Sequence, residues 1–186
     1  MEAALAARAG DVGAVDAPEL LVSREEPRPL ETGGGLLAAR DLFRGDRPIL
    51  LHNVDVITGI DLGGLVAAHA REPATLATLA VQERAASRYL LFDESGLHGR
   101  LDVRSGRREE ARGARGPVRR LAFTGVHVVS PRLIDRLTET GVFSIVDAYL
   151  RLAGEGDSVA GRDVGDAEWW EIGTPERLAA ARARFA

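Results

Sequence analysis

The sequence contains no cysteine, one methionine, two tryptophans and two tyrosines. Without cysteine there are no disulfides, no thiolate metal sites and no cysteine nucleophile. Lysine is absent as well, so all 24 basic residues are arginine. That excludes a P-loop lysine, a Schiff-base lysine and a lysine phosphate clamp within these residues. No apolar run approaches the roughly 20 residues that a membrane helix needs, and no membrane partner is expected. Residues 1–10 show no basic segment followed by an apolar one, so no signal peptide is expected. The four histidines (His52, His69, His98, His127) have no HxxxH spacing, which argues against zinc. No serine sits in a GxSxG elbow, which disfavours an α/β-hydrolase. A net charge of −4 argues against nucleic acid as the main partner. The arginines at 107, 108, 112, 115, 119 and 120 are interleaved with Glu109 and Glu110 and have no aromatic platform, which reads as a solvated loop.

What is present is 186 residues, 45% hydrophobic and 28% charged. This is enough for one soluble domain with a real core, expected in the cytoplasm. Short apolar runs alternate with helical stretches. Ala3–Ala7 reads as the end of a helix and Leu20–Ser23 as a short strand. Glu25–Gly35, with two prolines and three consecutive glycines, reads as a loop running into a helix at Leu36–Phe43. Pro48–His52 reads as a buried strand ending at Asn53-Val54-Asp55, and Leu62–Ala70 as a helix capped by Asp61. Thr75–Val81 and Tyr89–Asp93 suit strands, and Ser95–Pro117 a weak hairpin with an exposed excursion. Leu121–Val129 is the clearest strand, broken at Gly125, where a ligand or another backbone can approach closely. Helices follow at Arg132–Leu137 and at Ser144–Ala153. The chain closes with a strand at Trp169–Ile172, a turn and a helix at Glu176–Phe185. Such alternation implies a Rossmann-like α/β fold, a mainly parallel sheet with helices on both faces.

Three places concentrate useful chemistry. Glu31-Thr32-Gly33-Gly34-Gly35 can bring backbone close to a ligand at a helix start, or can be a flexible turn. Asp55 stands at the carboxyl end of a buried strand, where open α/β sheets bind ligands, or it caps the chain there. In Trp169–Glu176, Thr174 and Pro175 make a helix start, which leaves Glu171 either as a ligand or facing solvent.

In this order the motifs resemble the sugar-1-phosphate nucleotidyltransferases, among them mannose-1-phosphate guanylyltransferases and N-acetylmuramate-1-phosphate uridylyltransferases. The resemblance runs from about Ala4 to Phe185. Glu31–Gly35 resembles the family's loop that closes on the nucleobase, and Leu51–Asp55 its strand ending in a metal-binding aspartate preceded by Asn53. Phe123–Val126 resembles the strand lining the sugar pocket, and Phe143–Leu150 the segment bringing Asp147 near the sugar. Trp170–Glu176 resembles the WxDxGTPE signature, with Glu171 in place of aspartate. The resemblance implies the nucleotide-diphospho-sugar transferase fold and transfer of a nucleoside monophosphate from an NTP to a sugar 1-phosphate. It further implies Asp55 and Glu171 as catalytic Mg²⁺ ligands. Glu31, Thr32, Gly33, Gly34, Gly35 and Asn53 would meet the nucleotide, and Thr124, Gly125 and Asp147 the sugar. The family's GxGxRxxPxT…PK phosphate loop has no counterpart here, nor does its EKP-type motif. The expectation is therefore a single domain over residues 1–186, N-terminally truncated, without the first βαβ phosphate-loop unit. The alternative is a non-catalytic, sugar-nucleotide-binding or regulatory remnant, and a homo-oligomer is expected where the sheet lies uncovered.

Overall fold

A computed structural model describes residues 19–185. The helix expected at Ala3–Ala7 lies outside the described residues. The elements in order are α1 (Glu31–Ala38), a short 3-10 turn (Arg40–Leu42), β1 (Ile49–His52), β2 (Val56–Thr58), α2 (Leu62–Ala70) and β3 (Thr75–Gln82). Then come β4 (Arg88–Asp93), β5 (Gly96–Asp102), β6 (Arg108–Glu110), β7 (Arg119–Val129) and α3 (Arg132–Arg136). α4 (Ile145–Gly154), β8 (Ser158–Asp163), β9 (Trp169–Glu171) and α5 (Pro175–Phe185) complete the chain.

The main sheet runs β6-β5-β4-β7-β3-β8, with β1 also paired to β7. β2 and β9 form a separate two-stranded sheet. All eight residues of β3 are buried, as expected of a strand covered on both faces. One face carries the larger core, in which Leu79, Val81, Phe92 and Val129 meet Phe143, Tyr149 and Leu152. On the other face Ala80, Val126 and Val128 meet Leu65 of α2 together with Val56 and Ile60. Helices thus cover both faces, as the α/β class requires.

Three expectations need correcting. Among the described residues only β3–β8 is a parallel pair; the remaining pairings are antiparallel. Short turns impose this, because β4 passes into β5 through Glu94 and Ser95 alone, a span that only an antiparallel partner can follow. Leu20–Ser23 is not a strand, and its apolar residues Leu20, Leu21 and Val22 stay exposed. The triglycine is not loop but lies inside α1. Glycine costs a helix about 1 kcal/mol relative to alanine, and tight packing overrides that cost here. The N–H groups of Gly33 and Gly34 both point at the carbonyl of Phe143, at 3.0 and 3.4 Å. A Cβ on Gly33 would strike the Phe143 ring, and one on Gly34 the carbonyl of Gly141.

Local signals elsewhere hold. Asp61 Oδ1 accepts the Gly64 N–H at 2.9 Å and caps α2. Ser144 caps α4 by accepting from Val146 N.

Two buried imidazoles link the core to pH. His127 lies between the Phe123 ring, stacked at 5.3 Å, and the Tyr149 ring, edge-on at 5.7 Å. Burial pushes its pKa down to about 3. Burial, with Arg132 nearby, also lowers His69, whose ring nitrogens bond Thr78 and Ser130 hydroxyls at 2.9 and 3.0 Å. In the unfolded chain both titrate near the ordinary value of about 6.5. Below that pH the unfolded state binds more protons than the folded one, so stability falls as pH drops from about 6.5 toward 3. For His127 the slope approaches about 1.4 kcal/mol per pH unit, and His69 adds to it in the same direction. Thermal melts between pH 7.5 and 4.5 are expected to show a Tm that declines only below about 6.5, whereas a flat profile would contradict it.

Candidate functional site

At the end of β1 the chain reaches across to β7. Asn53 N donates to the carbonyl of Gly125 at 3.0 Å, and the Asn53 side chain lies against Gly125 itself. Gly125 has φ +82°, and a Cβ there would come within 2.8 Å of Asn53 Nδ2, so glycine is required on both counts. Here β7 bends and its register with β3 shifts.

The bend is held from below. Trp169 Nε1 donates to the carbonyl of Thr124 at 2.8 Å, and Arg84 Nη2 to that of Phe123 at 3.3 Å. The Arg84 guanidinium stacks 3.7 Å from the centre of the Trp169 ring. The Thr124 hydroxyl is buried and donates to the carbonyl of Ala80 at 2.9 Å. Thr124 therefore shapes this strand through its backbone and does not present its hydroxyl to a ligand. The sequence does not mark Arg84, and marks Trp169 only as the start of the Trp169–Glu176 segment, without a role of its own. Trp169 precedes the WxDxGTPE-like segment directly, but a stacking partner 85 residues away leaves no local signal.

From Asn53 a tight turn, with Val56 N donating to the carbonyl of Asn53 at 3.2 Å, carries the chain through Asp55 into β2. β2 pairs antiparallel with β9, setting Val56 opposite Glu171, and Ile172 N donates to the carbonyl of Asp55 at 2.7 Å. The two carboxylates, 116 positions apart in sequence, thus meet beside Gly173. A Cβ on Gly173 would lie 2.8 Å from Glu171 Oε1 and 3.0 Å from Asp55 Oδ2. Glu171 Oε2 is paired with Arg177 of α5, which leaves Oε1 on the side of Asp55. The Asp55 carboxylate has no partner among the described residues. No group of three or more His, Cys, Asp or Glu that could hold a metal occurs among them. Two carboxylates are nevertheless the donor set with which Mg²⁺ binds when phosphates and water complete its shell.

The other candidates lie around the larger core. Thr32 Oγ1 accepts from Ile145 N at 3.1 Å, so with Gly33 and Gly34 it fastens α1 to the segment leading into α4. Gly35 faces the Glu25 carboxylate. Glu31 is exposed and has φ +61°, the left-handed region that is costly for a residue with a side chain. Asp147 accepts from Arg100 Nη1 at 2.5 Å and lines a cavity of about 690 Å³, which Phe123 also borders two residues from Gly125. Arg100 was another residue that the sequence did not mark.

No family profile matches the chain. It is 29% identical over 179 residues to the N-acetylmuramate alpha-1-phosphate uridylyltransferase of Caulobacter vibrioides, covering 91% of this chain and 67% of that protein. The UTP-bound UGPase from Acinetobacter baumannii superposes with a TM-score of 0.71 at 15% identity, over 99% of this chain and 66% of that one. HddC from Yersinia pseudotuberculosis complexed with GMP-PN gives 0.66 at 15%, over 99% and 74%. The chain is similar in sequence to a sugar-1-phosphate nucleotidyltransferase and in fold to several others. It has the nucleotidyltransferase fold and spans about two thirds of the length of the curated relative and of the UGPase. In that nucleotidyltransferase frame, Asp55, Glu171, Asn53 and Gly125 stand together where β1, β7 and the β2–β9 sheet meet.

Proposed function

We propose that the chain carries the site of a sugar-1-phosphate nucleotidyltransferase. A sugar 1-phosphate oxygen attacks the α-phosphorus of an NTP, the bond to the bridging oxygen breaks, and pyrophosphate leaves with an NDP-sugar as product. The name of the curated relative suggests UTP and N-acetylmuramate 1-phosphate as first candidates. The observation that carries this reading is the convergence of the Asp55 and Glu171 carboxylates beside Gly173 at the end of β1. In-line phosphoryl chemistry needs positioning and charge neutralisation rather than a covalent intermediate. Asp55 and Glu171 would hold Mg²⁺, which supplies charge neutralisation at the phosphate oxygens. Asn53 and Gly125 keep the backbone around that point close and rigid. Glu31 and Gly35 are assigned to the base and ribose, and Gly125 and Asp147 to the sugar, whereas Thr32, Gly33, Gly34 and Thr124 support these contacts through the fold, since their polar groups are spent within it. The 186 residues are read as one domain of such an enzyme, acting in the cytoplasm on soluble nucleotides.

A second reading, a sugar-nucleotide-binding module without turnover, is favoured by one observation. These residues hold neither lysine nor a glycine-rich phosphate loop, so the leaving phosphates must be met by arginine or by residues outside them. Release of pyrophosphate that requires both UTP and N-acetylmuramate 1-phosphate supports the enzyme. Binding of the NDP-sugar with no release supports the module.

Self-association belongs to the same proposal. β1 pairs only with β7 among the described residues, so its outer edge is unpaired, and Leu50 and Val54 beside it are exposed. Light scattering is expected to show a dimer or larger species, or the chain to bind a hydrophobic dye. A monomer that binds no dye would contradict this.

A further inference from the structure

Of the described arginines, Arg84, Arg100, Arg112 and Arg151 are half-buried. Arg100 is bonded to Glu109 and Asp147, Arg112 to Asp93, and Arg151 to Glu139 and Glu155. Arg84 differs, because it has no carboxylate partner among the described residues. Burial pulls its pKa below the ordinary arginine value, and the Tyr89 phenol is the group that acts against this. A guanidinium drawn out of water without an anion costs stability. Arg84 is thus a cation that the fold leaves uncompensated.

Its position follows from the end of β3. Arg84 leaves that strand on a tight turn, its N–H donating to the carbonyl of Gln82 at 3.1 Å. Gln82 Nε2 donates in turn to the carbonyls of Gly165 and Ala167, which fixes the approach to β9. Trp169 is thereby set against the guanidinium, 3.7 Å from it. Stacking uses the flat face of a guanidinium and leaves the donors around its edge. Of these, Nη2 reaches the Phe123 carbonyl at a long 3.3 Å, while Nε is covered and bonds nothing. Phe123 and Tyr89 both line the cavity of about 690 Å³ that Asp147 borders. Trp169 and Glu171 stand two apart on β9 and so share a face. Arg84 therefore lies where the cavity meets the strand that carries Glu171.

We propose that Arg84, held flat on Trp169, binds the phosphate of the sugar 1-phosphate while the sugar occupies the cavity beside Phe123. This rests on the nucleotidyltransferase reading and adds a binding residue for one of its two substrates. The attacking phosphate is a dianion above a second pKa of about 6, and no lysine within these residues can meet it. The carboxylates of Asp55 and Glu171 would by themselves repel it. A guanidinium fork offers phosphate oxygens two parallel hydrogen bonds, and the indole under it holds that fork before the ligand arrives.

The test is isothermal titration, with Mg²⁺ present, of UTP and of the 1-phosphates of glucose, mannose, N-acetylglucosamine and N-acetylmuramate, beside thermal melts. Arg84→Gln is expected to weaken the sugar 1-phosphate that binds the wild type best by about tenfold or more, the size of one charge-assisted contact. UTP should bind as before. Arg84→Lys keeps the charge without the fork and should recover part of the loss, which a merely structural role for Arg84 would not give. Should Arg84→Gln fail to fold, Arg84→Met, which keeps an unbranched chain on the Trp169 ring, is read in its place. Equal weakening of UTP and sugar phosphate, or a sugar phosphate that binds the variant as tightly as the wild type, overturns the assignment and leaves the nucleotidyltransferase reading standing. So does a wild type that takes UTP but none of the sugar phosphates. Binding of neither UTP nor any sugar phosphate overturns both.

Discussion

Asp55→Asn is expected to lower pyrophosphate release by about a hundredfold or more, the order lost when a charge that meets developing phosphate charge is removed. Tm should stay within a degree or two. The two expectations separate because the Asp55 carboxylate bonds nothing among the described residues, while its backbone carbonyl, which accepts from Ile172 N, is untouched by the change. Glu171→Gln should give a loss of similar size. The double variant should be hardly worse than either single one, since two ligands of one cation act as a unit. Glu171 differs in one respect, because Arg177 is left without its partner and the first turn of α5 loosens. Steady-state rates beside melts of the three variants check this. Additive losses would place the two carboxylates in separate roles.

Arg112→Ala is expected to destabilise the fold by about 3 kcal/mol, the cost of leaving a covered carboxylate without its cation. That corresponds to a fall in Tm of roughly 6–12 °C for a chain of this size. Asp93 ends β4 with its side chain wholly covered. Both terminal nitrogens of Arg112 bond it at 2.7 Å, and Arg115 N and Ser95 N add bonds at 2.7 and 2.9 Å. These donors, Arg112 above all, hold the Asp93 carboxyl well below the usual carboxylate range. Its stabilising contribution is therefore complete at neutral pH and lost as pH falls below that range. Arg112 also donates to the carbonyl of Gly96, so one side chain fastens the arginine-rich excursion to the sheet. The double variant Arg112→Ala/Asp93→Asn should recover part of the loss, because no charge is then stranded. A Tm unchanged by Arg112→Ala would contradict the role of this pair.

The excursion also shows where the sequence misleads. Ser95–Pro117 reads as a weak hairpin with an exposed excursion, and β5 and β6 do pair as a hairpin, but the run Arg107-Arg108-Glu109-Glu110, which reads as a solvated loop, supplies the strand Arg108–Glu110 and lines a cavity wall. Strand pairing between charged residues is a tertiary fact and leaves no hydrophobic period. The same holds for the triglycine. Local propensity calls it loop, and only the approach of Phe143 and Gly141, more than a hundred residues on, makes glycine the one residue that fits the helix. By contrast, α2, β3, β7 and α4 were legible because a cap, a buried apolar run or a well-placed glycine acts within a few residues. Of the site, the two carboxylates and Gly125 could be read from motif order, while Arg84, Trp169 and Arg177 could not. They act by stacking and pairing across elements, and any surface arginine or indole looks the same in one dimension. The pairing directions were also beyond reach, since chain reversal depends on turns that the alternation of strands and helices does not encode.

In the proposed function Asp55 and Glu171 form one cation-dependent site for a sugar nucleotide. Its most direct test is calorimetric titration of GDP-mannose, UDP-sugars and dTDP-glucose into the wild type and Asp55→Ala, each with Mg²⁺ and with a chelator. The expected result is that one sugar nucleotide binds the wild type only with Mg²⁺ and does not bind Asp55→Ala. Binding that is indifferent to Mg²⁺ and to Asp55, or no binding across the panel, would contradict it.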